Sequence, residues 1–386
     1  MKSVFKNQRN SAYFTPIYKQ PKFDLFTITN IKTFNLPKPT QFHTPLLWLK
    51  NTLNLRQNIN QTIPWAKSII LVGLNYASKP IPEQFNKKYL VISDYARLRD
   101  YHKVLKAKLQ NVIKIIQDSL NLYDLQHCSR NNSQYDARYN SRYNSRLKQL
   151  HKIHLEYKIF VDSFPIYEKG YAIASFPNTT LGKNGLIQTA IGSKIVIGGV
   201  VLNIDVSVAQ NLLIGLDNST SQDFSKFLFI ESRYKQDRQI NTDSKHTNKQ
   251  IKNMCKNCNK CIANCPTGAL QGFKIVHAKC ISYLTVEAKG KIPDFLQKRM
   301  KNWLFGCDEC QSTKTCPFNN TFEKPLTNPQ LALRFGKTIP KVLYFRQAQR
   351  ISFHGFYKYF KSTPVIRMRY LKFKDRVEWY GRNVKK

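Results

Sequence analysis

The sequence predicts an α+β fold followed by a cysteine module spaced for two metal clusters and a small, basic, helical C-terminal region. Three observations predict it. Apolar, β-branched runs and one long stretch of helical period alternate before residue 217. Eight of the 9 cysteines crowd between Cys255 and Cys316 at metal-ligand spacings. The final segment sets lysine and arginine among aromatic residues.

Residues 1–60 show little period, because Pro16, Pro21, Pro37, Pro39 and Pro45 interrupt any long element, and the segment is expected to wrap a surface. The first domain proper, 61–216, opens on the run Ala66 to Leu74 (AKSIILVGL), whose length and β-branched content read as a buried strand. Tyr101, Val104, Leu105, Leu109, Val112, Ile113 and Ile116 then recur at steps of three and four, one face of a helix starting near Asp100. Residues 128–146 carry an Arg-Tyr-Asn-Ser tandem repeat with almost no aliphatic side chain, so a mobile loop is expected; contact with RNA through charge and stacking is the alternative. From Lys158 to Val208, strand-like runs (KIFVDSF, KIVIGGVVLNIDV) alternate with glycine pairs, as in a central sheet with tight turns. A polar linker or insertion, 217–250, precedes the cysteine module, 251–325, and the basic region, 326–386.

Composition narrows the class. A hydrophobic fraction of 42%, with 24 Phe and 20 Tyr, excludes a disordered chain. The 62 Lys+Arg against 23 Asp+Glu give a formal charge of +39, a field that draws in polyanions, with compositional bias of the genome as the bland alternative. No apolar run of about 18 residues exists, so no membrane span is expected. The basic N-terminus lacks an apolar core for a secretory signal, which points to the cytoplasm. Cysteines crowded at ligand spacings do not resemble a disulfide scaffold, and a reducing compartment follows.

The run Cys255-x2-Cys258-x2-Cys261-x3-Cys265-Pro266 is that of bacterial ferredoxins, in which three thiolates grip one [4Fe-4S] cluster and the fourth reaches the other. A zinc site, the alternative, needs neither a third cysteine at the same step nor the proline. Cys280, Cys307, Cys310 and Cys316 complete the eight ligands. Pseudo-symmetry assigns Cys255, Cys258, Cys261 and Cys316 to one cluster, and Cys265, Cys280, Cys307 and Cys310 to the other. Cys310-x5-Cys316 is two residues longer than the x3 step, so residues 311–315 are expected to bulge outward. Cys128 is left over.

The segment from Cys280 to Pro293 (CISYLTVEAKGKIP), with Gly306-Cys-Asp-Glu-Cys-Gln311, resembles the epoxyqueuosine reductase family. The resemblance continues in Ser93 to Leu105 (SDYARLRDYHKVL), Val161 to Glu168 (VDSFPIYE), Gly182-Lys-Asn184 and Ser362 to Arg367 (STPVIR), and covers roughly residues 60 to 380 with gaps at 120–156 and 210–250. It implies a nitroreductase-like cobalamin domain, a ferredoxin-type module with two [4Fe-4S] clusters, and reduction of epoxyqueuosine to queuosine in a tRNA anticodon loop. An external electron donor, no membrane and a monomer are also expected. Asp162 matches the family's proton-donating carboxylate, which partial desolvation can keep protonated near neutral pH; a loop-capping Asp is the alternative. Tyr95, Arg97, Asp100, Asp162 and Ile281 match positions lining the cobalamin and substrate pocket, and Lys289 and Arg367 positions facing tRNA.

From Lys341 to Lys386 there are 13 Lys+Arg and 2 Asp+Glu, a tRNA-facing surface whose aromatics mostly read as helix core. The corrinoid signature Asp-x-His-x-x-Gly is absent, since Leu105 stands at the glycine of Asp100-x-His102, so His102 is not read as a cobalt ligand. Ser175 to Leu181 replaces a glycine-rich, Trp-containing turn, Ser163-Phe164 replaces Thr-Gly, and Lys194 stands where an aromatic is expected. The alternatives are another corrinoid/iron–sulfur reductase of a small molecule, or a degenerate non-catalytic homologue.

Overall fold

The computed structural model describes residues 22–34, 51–78, 88–128, 154–214, 255, 257–321, 328–336 and 338–384. The tandem repeat beyond Cys128 and the linker 217–250 lie outside them. Four antiparallel strands, β1 (Leu25–Asn30), β2 (Ser68–Asn75), β4 (Tyr157–Phe160) and β7 (Ile195–Leu202), build the first sheet in the order β1-β2-β7-β4. All eight residues of β2 are buried because both faces of the sheet are covered. Ile70, Val72 and Leu74 pack against the amphipathic helix α1 (Tyr101–Cys128), while Ile69 and Leu71 pack with Tyr171 and Phe176 from around helix α2 (Glu168–Ser175). The buried stripe of α1 includes Val104, Leu105, Leu109, Val112, Ile113 and Ile116, the face that the spacing marks. β7 passes tightly between its neighbours: a Cβ at Gly199 would stand 2.4 Å from the Ile70 carbonyl oxygen and 2.5 Å from the Phe160 ring, so only glycine fits.

Two features depart from the sequence reading. The N-terminal segment does more than wrap a surface, because LFTITN, between Pro21 and Pro37, is free of proline and β-branched enough to pair along the edge of β2. A second sheet joins all three regions of the chain. Its middle strand β3 (Tyr89–Ile92) pairs in parallel with β10 (Trp303–Phe305) of the cysteine module and antiparallel with β11 (Val342–Tyr344) of the basic region. Phe356, Phe360, Phe373 and Tyr380 close over this sheet with Leu90, Leu304 and Phe305, which makes them core, as their helical spacing suggests, whereas Phe353 stays exposed.

The C-terminal helix, Tyr370–Val384, is fastened by Arg376. Its side chain is fully buried and donates to the carbonyls of Lys301 (2.6 Å) and Trp303 (3.1 Å). Two short hairpins complete the elements used below: β5 (Thr180–Leu181) with β6 (Ile187–Gln188), and β8 (Leu270–Gln271) with β9 (Lys274–Ile275). Among the described residues, no helix is long and apolar enough to cross a membrane.

Candidate functional site

Cys255, Cys258, Cys261 and Cys316 line one cavity, walled on the far side by Lys183 and Gln188 of the β5–β6 hairpin. The long step before Cys316 does not bulge outward as expected. It closes a turn in which the Cys316 N–H donates to the Ser312 carbonyl (2.8 Å) and the Ser312 and Thr315 hydroxyls pair (3.0 Å). Gln311 and Thr315 are buried and only Lys314 is exposed, so the extra residues fold inward and carry Cys316 to the cavity.

Burial and the three neighbouring sulfurs push the Cys261 thiol up to about 11. Four thiolates therefore gather here only around positive charge. The other four thiols, Cys265, Cys280, Cys307 and Cys310, lie within electrostatic reach of one another, with Cys310 influenced by Cys280 and Cys265, and Cys307 by Cys310. Sulfurs arranged around a cavity suit a polynuclear cluster, whereas zinc draws its four ligands to one centre.

A second constellation lies past the end of β4. Asp162 adopts a left-handed backbone conformation (φ 55°), and its carboxylate is half exposed. It accepts a hydrogen bond from the Tyr101 hydroxyl, and the His102 Nε2 stands 3.4 Å away. The other nitrogen of His102, Nδ1, meets Asp100 at 2.7 Å. Glu168, buried at the start of α2, accepts from the Asp162 N–H at 2.8 Å and fixes the loop.

The protonation pattern differs from that expected of Asp162. Burial works to raise its carboxyl, but hydrogen bonds from His102 and Tyr101 outweigh it and hold Asp162 below the usual carboxylate range. The proton resides on the imidazole instead: burial disfavours the charged ring, yet Asp100 and Asp162 together push His102 up to about 9. Burial, with the Asp162 charge, raises Glu168 well above a normal glutamate. Tyr101, His102 and Glu168 are the members that motif reasoning passed over. Their signal was the position of His102 two residues after Asp100 and of Glu168 six after Asp162.

Tyr95, Asp100 and Asp162 are brought together through this group, the Tyr95 ring lying edge-on to Tyr101 with centroids 6.3 Å apart. Arg97 and Ile281 are not. The charge of buried Arg97 is directed to Asp94 and Asp308, and Ile281 packs in the core with Leu284 and Trp303. Lys289 lies exposed in a turn that Lys372 holds by donating to the Ala288 carbonyl, and Arg367 pairs with Glu287 at 3.0 Å beside it. Lys194, found where an aromatic was expected, turns inward. It meets the fully buried Asp94 at 2.5 Å, with Lys341 on the other oxygen at 2.6 Å.

The donor set tests whether a corrinoid suits this site. Both nitrogens of His102 are engaged with carboxylates, so the ring offers a proton and no lone pair for cobalt. A corrinoid bound here would find Tyr95, Asp100 and Asp162 at its wall and no free histidine nitrogen on His102.

The profile described as epoxyqueuosine reductase QueG, DUF1730, matches residues 56–129, and that of a 4Fe-4S double cluster binding domain matches residues 254–319. The epoxyqueuosine reductase of Escherichia coli is 26% identical over 342 residues, covering 84% of this chain and 70% of the relative. That of Synechocystis is 29% identical over 287 residues, covering 74% and 73%. That of Francisella cf. novicida is 28% identical over 302 residues, covering 75% of this chain. This chain spans 63% of the length of the Francisella relative. A crystal structure of epoxyqueuosine reductase with an epoxyqueuosine-modified tRNA stem loop superposes with a TM-score of 0.60 at 21% identity, covering 94% of this chain and 78% of that one, a likeness of fold.

Fold and cysteine sets together define a double-cluster iron–sulfur protein of the α+β class, which also carries a carboxylate–imidazole group half open to solvent. Within that class, the chain is similar to the epoxyqueuosine reductases over most of its length.

Proposed function

We propose that this chain is an oxidoreductase of tRNA modification that reduces epoxyqueuosine to queuosine in the anticodon loop, using two [4Fe-4S] clusters and a corrinoid. The observation that carries the reading is the joining, on one fold, of two four-cysteine sets with a proton store built from Asp100, His102 and Asp162. Removing the epoxide oxygen consumes two electrons and two protons, leaving an alkene and water. When bound, the clusters and the corrinoid supply the electrons at a nucleophilic metal centre.

This chain supplies the protons and the geometry. Cys255, Cys258, Cys261 and Cys316 hold one cluster, and Cys265, Cys280, Cys307 and Cys310 the other. Tyr95 and Asp100 belong to the corrinoid-facing wall. Asp162 takes a proton from the His102 imidazolium and passes it to the departing oxygen, while the Tyr101 hydroxyl steadies the carboxylate. The second proton enters from solvent along the exposed edge of Asp162. Glu168 keeps the loop in its strained conformation, so Asp162 does not have to be ordered at the moment of reaction.

Lys289, and Arg367 held beside its turn through Glu287, neutralise tRNA backbone phosphates, and the net charge of +39 draws the polyanion in. An external one-electron donor feeds the clusters. We place the reaction in the cytoplasm, where thiols stay reduced, and read the chain as a monomer.

The test is anaerobic purification with cobalamin and iron analysis, then mass spectrometry of epoxyqueuosine-containing tRNA after incubation with a reductant. The expected result is about eight irons per chain, bound cobalamin, and loss of one oxygen from the modified base. Protein loaded with iron and cobalamin that leaves the epoxide intact overturns the reading.

A further inference from the structure

The cavity lined by Cys255, Cys258, Cys261 and Cys316 has one wall that the cysteine module does not provide. That wall is the β5–β6 hairpin of the first domain, and it presents a buried lysine. The Lys183 backbone N–H donates to the Cys255 sulfur at 3.3 Å. Its side chain is only 8% exposed, and its ammonium donates to the Asn259 amide oxygen at 2.7 Å, between Cys258 and Cys261 in sequence. The Phe273 ring shields it from the β8–β9 hairpin at 5.8 Å. Next to it, Asn184 donates to the Cys310 carbonyl at 3.3 Å, so the turn touches the chain between the two cysteine sets. Among the described residues, none that lines the cavity is acidic.

Burying an ammonium against a neutral amide costs desolvation energy unless a negative charge stands nearby. Four thiolates around a cubane supply that charge. The cluster with its ligands is a dianion when oxidised and a trianion when reduced, and a fixed cation in a poorly solvated wall favours the form with the extra electron. The N–H bond to the Cys255 sulfur acts in the same direction, because it withdraws charge from a ligand sulfur.

We propose that Lys183 is a positioning residue for electron transfer, one that raises the reduction potential of the cluster held by Cys255, Cys258, Cys261 and Cys316 and makes it the resting place of the first electron. The inference rests on the cluster assignment proposed above. The step is a one-electron reduction of the cubane by an external low-potential donor, with no proton taken up and no bond broken.

The test is an EPR-monitored redox titration of the anaerobic holoenzyme with dithionite, beside iron analysis. Lys183→Gln removes the charge, and Lys183→Arg keeps it. Asn259→Asp leaves the lysine in place and neutralises it. In Lys183→Gln and Asn259→Asp, one of the two midpoints is expected to fall by about tenfold in the reduction equilibrium, 59 mV for a one-electron couple. The other midpoint and that of Lys183→Arg should stay near wild type. Iron-loaded Lys183→Gln with both midpoints unmoved overturns this inference alone. Should that variant lose iron, unmoved midpoints in Asn259→Asp overturn it instead. A wild-type protein without cubane signals overturns the cluster assignment and this inference together.

Discussion

Removing the carboxylate of Asp100 should lower the pH at which the enzyme stops turning over. His102 sits between two anions, with Nδ1 at 2.7 Å from Asp100 and Nε2 at 3.4 Å from Asp162. The shorter contact is the stronger, and a charge-assisted hydrogen bond of that kind contributes about 1.5–3 kcal/mol. Each tenfold change in a proton equilibrium corresponds to about 1.4 kcal/mol. Asp100→Asn should thus bring His102 from about 9 down to between about 7 and 8. The sign follows from the raised value: the imidazolium is fully charged below its ordinary 6.5, persists to about 9 in the fold, and is lost as pH rises beyond that. A single-turnover rate of epoxide removal measured from pH 6 to pH 10 should fall with an alkaline edge near 9 in the wild type. In Asp100→Asn the edge should move about one pH unit or more towards neutrality. Burial and the Asp162 charge hold Tyr101 far above this range, so it does not supply the edge. An edge left in place by Asp100→Asn, or a flat profile in both proteins, would refute the assignment of the proton to His102.

Asp162→Asn should retain iron and cobalamin while turnover falls by about 10²–10⁴-fold, the usual contribution of a positioned acid–base group; an active variant removes Asp162 from the mechanism. Cys316→Ala should cut the iron content from about eight to about four per chain, measured colorimetrically beside the EPR spectrum, and a full complement would break the proposed pairing. Lys289→Ala should weaken tRNA binding uniformly across tRNA sequences and reduce the salt dependence of the affinity by about one phosphate contact. Wild-type affinity that is unchanged between low and moderate salt would remove the basic surface from tRNA recognition.

How far the sequence reached depended on whether the chemistry is local. Cluster ligation is local, because a cubane fixes the reach between successive thiolates, and the spacing from Cys255 to Cys265 therefore stands out in the bare sequence. The helical stripe of α1 and the aromatic core under Phe356, Phe360 and Phe373 were legible for the same reason, as both repeat within a few residues. The second sheet was not. β3, β10 and β11 are short and come from three separate regions, and nothing in the period of Tyr89–Ile92 announces that its partners lie more than 200 residues away. The inward turn before Cys316 was hidden as well, since only the packing of Gln311 and Thr315 shows which side of the chain takes up the extra residues.

The group around Asp162 shows the same limit acting on chemistry. Read alone, Asp162 is a carboxyl after a strand, and desolvation is the force expected to act on it. In the fold, Tyr101 and His102 arrive from the start of α1 and reverse the balance, so the proton moves one residue back along the chain of hydrogen bonds. Lys194 is the structural counterpart. As a replacement for an aromatic it looks like a damaged pocket, but its ammonium meets Asp94, which Lys341 also neutralises, and the substitution is absorbed by a buried ion cluster. A changed residue in a family motif says little until its partner is known, and here each partner comes from a different part of the chain.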